Sequence, residues 1–98
     1  MSATRLQTAD DGRLMLSGEL SMATVPALLK QLDWRQGDAE IRIDLQGVER
    51  ADSAGVALLI EWRRAAAQQQ RSIDFQNIPS QMLAIARLSG VDELLALN

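Results

Sequence analysis

The chain has 98 residues, 47% of them hydrophobic and 23% charged, with 10 basic against 13 acidic side chains and a net charge of −3. That length supports one core of ordinary size, and the acidic balance opposes the broad positive face that nucleic-acid binding needs. Cysteine, histidine and tyrosine are absent, which excludes disulfides, Cys/His metal sites, thiol nucleophiles and Ser-His-Asp chemistry.

The first element is a short extended run, Arg5 to Ala9. Asp11-Gly12 separates it from a second run, Arg13 to Ser17. Asp-Gly between two strand-like segments signals a hairpin with positive φ at both turn positions. The second strand leaves through Gly18-Glu19-Leu20-Ser21. Ser21 or Thr24 can cap a helix whose first turn takes Pro26. Leu28, Leu29 and Leu32 fall at helical spacing, and this helix is expected to end near Trp34, before Gly37-Asp38.

Ile41-Arg42-Ile43-Asp44-Leu45 alternates strictly, the mark of a strand with one buried face. Gly47 to Ala51 reads as a loop. A helix then runs from about Ser53 to about Gln69. Gly55, Leu58, Leu59, Trp62 and Ala66 form one stripe along it. Val56, Ile60, Arg63 and Ala67 form a second. One stripe serves the core; the other is either covered by a neighbouring element or exposed as an apolar patch rimmed by Arg63. Ser72 to Phe75 is a further alternating strand. Pro79-Ser80 opens a helix carrying Met82, Leu83, Ile85, Ala86 and Leu88, with Gly90 as its natural stop. The tail, Val91 to Leu97, is expected to pack back as a short helix.

Strands alternating with helices imply an α/β fold with a mixed, mostly parallel sheet, opened by an antiparallel hairpin. Alternating rather than continuously apolar strands place the helices mainly on one face. No linker or composition break divides residues 1–98, so one domain is expected. Residues 1–13 lack the apolar stretch of a signal peptide. The longest apolar run, Ala54 to Ile60, is far shorter than the about 20 residues of a bilayer span. The expected location is the cytoplasm.

Asp52 and Ser53 stand where the central helix begins. Either can cap it, at about 1 kcal/mol. Ser53 also presents a hydroxyl at the positive end of the helix dipole. Gly55 permits close approach of helix and strand. The carboxylate pairs Asp10/Asp11 and Glu49/Asp52 come with no nucleophile, and no glycine-rich phosphate loop follows any strand. Neither an enzyme nor a resident cofactor or metal is expected.

Ser17-Gly18-Glu19-Leu20, the strand ending in Asp44-Leu45 and the loop Asp52-Ser53-Ala54-Gly55 resemble the STAS family, and the likeness in element order covers nearly the whole chain. Within it, Leu59-Ile60-Glu61-Trp62, the Gln68-Gln69-Gln70 helix end and Asn77-Ile78-Pro79 leading into Leu83 to Gly90 resemble the MlaB-like subunits of phospholipid-transporting ABC complexes. Two positions depart from the pattern: Ser21 where many members carry Asp, and Ser53 where the phospholipid subunits often carry Thr.

That resemblance implies a non-catalytic subunit that binds and supports the ATPase of such a transporter, in complex with its permease, and so lies at the inner membrane without inserting into it. It places the contact at Asp52, Ser53, Ala54, Val56, Ile60 and Arg63. The sigma-antagonist branch of the family implies an alternative, a switch operated by a serine kinase at Ser53. A phosphate there would lie beside helix N–H groups and against Asp52. A third reading is a sensor binding a small ligand at the Ser53 loop.

Overall fold

The computed structural model describes residues 4–32 and 40–91. Among the described residues, four strands form one sheet in the order β1-β2-β3-β4: β1 (Arg5–Thr8), β2 (Leu14–Leu20), β3 (Glu40–Ala51) and β4 (Ser72–Gln76). β1 and β2 are antiparallel; β2, β3 and β4 run parallel. The helices are α1 (Val25–Leu29), α2 (Ser53–Gln68) and α3 (Ser80–Leu88), each following a parallel strand. This is the mixed α/β architecture expected.

The hairpin forms by a different turn from the one expected. Gly12 N–H donates to the Ala9 carbonyl at 3.0 Å, and only Gly12 in the turn has positive φ, +86°. That is a type I turn closed by a left-handed glycine. Asp11 contributes by its side chain, which accepts from Arg13 N–H at 3.0 Å.

Burial follows the alternation. Leu16, Leu20, Ile43, Leu45 and Ile73 face inward, and Phe75 packs half-buried beside them. From α2, Leu58, Leu59, Trp62 and Ala66 meet them, and both α1 and α3 pack on α2. The helices therefore share one face of the sheet. From α3, Met82 and Ala86 are buried while Leu88 is 90% exposed, although it falls at apolar helical spacing. Gly90, at φ +73°, stops α3 as expected, with Val91 N–H bonded back to the Ala86 carbonyl at 2.9 Å.

Three elements differ in length from expectation: β2 runs on through Gly18–Leu20, which the sequence reads as its exit, and α1 and β3 differ more. α1 is a single turn and a half ending at Leu29, and Thr24 does not cap it: the Thr24 hydroxyl donates to the Glu19 carbonyl and accepts from Ser21 N–H. Trp34 and the C-terminal tail lie outside the described residues. In the other direction, β3 continues through Gly47–Ala51, read from sequence as a loop. Its second half pairs with β2 through two register shifts while Gln46, Gly47, Glu49 and Arg50 stay exposed. Backbone pairing holds it as a strand where no apolar alternation marks it. A Cβ on Gly47 would meet Ser17 Cβ at 2.8 Å, so the strands approach there only because the residue is glycine.

On the face away from the helices, one carboxylate is buried. Asp44 is 2% exposed and accepts from Gln46 N–H at 2.8 Å and from the Asn77 side-chain amide at 3.1 Å. Arg13 pairs with its other oxygen at 3.2 Å. Asn77 reaches it from a left-handed backbone, φ 55°, which asparagine tolerates better than most residues. Burial pushes the Asp44 pKa up, but the Gln46 and Asn77 donors and the Arg13 charge outweigh it and hold the carboxyl below its ordinary range. A depressed folded pKa adds stability above the unfolded value and loses it as pH falls through the folded one. Wild type should therefore shed stability below about pH 4. Asp44→Asn should be destabilised by about 1–3 kcal/mol at neutral pH and lose less on acidification. Urea melts from pH 7 to 3 check this; parallel acid limbs for both proteins would contradict it.

Candidate functional site

The junction of β3 and α2 lies at the C-terminal edge of the parallel strands. Its local structure follows from Asp52 and Gly55. Asp52 is the N-cap: its backbone is extended and its carboxylate accepts from Ala54 N–H at 2.8 Å. Asp52 N–H in turn donates to the Leu20 carbonyl at 3.2 Å, tying the junction to the end of β2. Gly55 lets α2 lie against that strand end, since a Cβ there would meet Leu20 Cβ at 3.0 Å and Ala51 Cβ at 3.2 Å. The close approach read from sequence is thus present.

Ser53, the first residue of α2, is exposed beside this anchored cap. One turn on, Ala57 is exposed, followed by Glu61 and Arg64, which form a surface pair at 3.4 Å. The turn that leaves β2, Ser21 to Thr24, follows Leu20 directly and carries Met22, 79% exposed. On α2, Ser53 and Ala57 thus present a hydroxyl and a methyl, and the exposed Met22 follows the strand end to which Asp52 is bonded.

The six positions proposed from sequence for partner contact separate into two groups. Asp52 and Ser53 are exposed at the junction. Ala54 is 7% exposed and Val56 is 4% exposed, both within the core, and Ile60 packs half-buried against it. Arg63 reaches back to β4: its guanidinium donates to the Ile73 carbonyl at 3.0 Å and lies 5.2 Å from the centre of the Phe75 ring. From Val56 to Arg63 the second apolar stripe is thus wholly or partly covered, because α2 is packed on more than its sheet-facing side, while Ala67 at its far end is exposed. The exposed stripe is Ser53, Ala57, Glu61 and Arg64, spaced four, four and three residues apart. Counting at helical period from Ser53 finds it in the sequence. Met22, exposed in its turn, carries no periodic signal in the sequence.

The carboxylate pairs singled out in the sequence occupy separate places. Asp11 serves the hairpin turn, and the Arg13 N–H it accepts holds its pKa low. Glu49 and Asp52 are both exposed. Among the described residues, no three acidic side chains converge as metal ligands, and no helix is long and apolar enough to cross a membrane.

A family model described as "Mlab, STAS domain" matches residues 4–96. No curated protein matches the chain. Among solved structures, an anti-sigma factor antagonist from Mycobacterium paratuberculosis is similar at 22% identity with a TM-score of 0.67, over 94% of this chain and 80% of that one. An antisigma-factor antagonist STAS domain from Rhodobacter sphaeroides is similar at 19% identity with a TM-score of 0.49, over 76% of this chain and 82% of that one. At 22% identity the first likeness shows a shared fold.

Proposed function

The chain belongs to the MlaB-type STAS-domain family, and from that premise we propose that it is a non-catalytic subunit binding the ATPase of a phospholipid-transporting ABC complex. The observation that carries this reading is the family match across residues 4–96, joined to the geometry of Ser53: an exposed hydroxyl on a helix start that is bonded to the neighbouring strand and seated closely on its end through Gly55. A rigid, exposed, weakly polar surface suits protein docking. In this reading the contact is made by Asp52, Ser53 and the exposed stripe beginning at Ala57, with Met22 at its side. Ala54, Val56, Ile60 and Arg63 shape that surface from beneath. Work for transport comes from ATP hydrolysed by the partner, which this subunit supports by holding it in the assembly at the inner membrane.

The test is capture from the native cell with the full chain as bait. The expected result is an ABC-type ATPase together with its permease, lost when the bait carries Ser53→Glu. Capture of a serine kinase that phosphorylates Ser53 would replace this reading with that of a sigma-factor switch.

A further inference from the structure

We propose that Gln81, on α3, is a positioning residue for Ser53. The inference rests on the docking reading above and adds to it a residue 28 positions further along the chain. β3 outruns β4: their pairing ends at Asp44↔Gln76, while pairing with β2 continues to Leu20↔Ala51. Past Asp44, β4 supplies no acceptors to β3. Ala51, the last residue of β3, is 4% exposed, so water does not readily replace a missing acceptor for its N–H. The side-chain oxygen of Gln81 takes that place, accepting from Ala51 N–H at 3.4 Å.

Ala51 immediately precedes Asp52 and Ser53. Leu20 ties the junction to β2, and Gln81 ties it to the first turn of α3. Ser53 is therefore held between two elements on either side of β3. Loss of the Gln81 tie frees the last residue of β3 on one side while leaving the core beneath it untouched, because Gln81 itself is exposed. The expected effect is a local loosening that docking must reverse.

Amide hydrogen exchange on the full chain, read by NMR, tests this. In Gln81→Ala, exchange at Ala51 should rise about tenfold, the scale of one lost hydrogen bond, and the Ser53 amide signal should shift. Exchange at Ile43 and Leu59 should be unchanged. Gln81→Glu, whose carboxylate also accepts, should restore the Ala51 rate. Affinity for the ATPase captured by wild type should fall about tenfold in Gln81→Ala and recover in Gln81→Glu. Unchanged exchange at Ala51 in Gln81→Ala overturns the proposal. So does acceleration that is equal at Ala51, Ile43 and Leu59, or full affinity in Gln81→Ala where Ser53→Glu has lost it. Full affinity in Ser53→Glu, with the Ala51 rate still set by residue 81, upholds the tie and strikes the docking reading instead.

Discussion

Ser53→Glu should bind the partner ATPase at least a hundredfold more weakly than wild type and melt almost normally. The two halves of this result have separate causes. Ser53 is exposed at the start of α2, so the new carboxylate stays in water in the free subunit. It also stands at the positive end of the helix dipole, which favours it by about 0.3–1 kcal/mol. Asp52 next door opposes it by a similar amount, and the net change should stay within about 1 kcal/mol. In the complex the same carboxylate is pressed against protein. Leaving it unpaired there costs several kcal/mol, and about 2.7 kcal/mol is already a hundredfold in affinity. Ser53→Ala removes one hydroxyl and should weaken binding by no more than about tenfold. Calorimetric titration beside a thermal melt reads both quantities. Normal affinity with a normal melt would move the interface off α2; lost affinity with a collapsed melt would make residue 53 a folding determinant instead.

The largest effect on stability is expected at Leu59. Its side chain is fully buried between α2 and the sheet. Leu59→Ala deletes buried apolar volume in a small core bounded by Leu58, Trp62 and the inward residues of β2 and β3, which relax only in part. Such truncations are destabilising by about 2–5 kcal/mol. Leu88→Ala is the matching control: the same chemical change at a side chain 90% exposed should fall within about 0.5 kcal/mol of wild type. Urea denaturation of both variants gives the comparison. Equal midpoints would show that α2 is rotated relative to the sheet.

The inward face of the sheet and the Gly55–Trp62 stripe were legible because burial imposes a period on the sequence. Leu16, Ile43, Leu45, Ile73, Leu58 and Leu59 are each where alternation or helical spacing put them. What escaped was whatever is held by backbone or by single side chains. The second half of β3 is paired along β2 without apolar contrast. The turn at Gly12 needs one left-handed residue, and a dipeptide signal does not distinguish that from two. The second stripe of α2 was legible as apolar, but which neighbour covers it depends on helix packing across the chain. Arg63 shows why: as sequence it is a charged rim, and in the fold its stem and guanidinium serve β4. Gln81 and Ala51 are thirty residues apart in sequence, and nothing in either neighbourhood announces their bond.

The close seat of α2 on Leu20 and Ala51 has a mechanical consequence. Most helices rest on a sheet through a layer of side chains that can change rotamer under load. At Gly55 the helix contributes no side chain to that layer, and its backbone rests on the Cβ atoms of Leu20 and Ala51 and on the Leu20 methyl, a layer one side chain thinner than usual. A push on Ser53, two residues away, meets the strand end through that thinner layer, with less side-chain rearrangement to absorb it. The start of α2 then behaves as a stiff stud, which surrenders little motion when a partner closes over it and transmits a partner's movement to the strands instead of damping it.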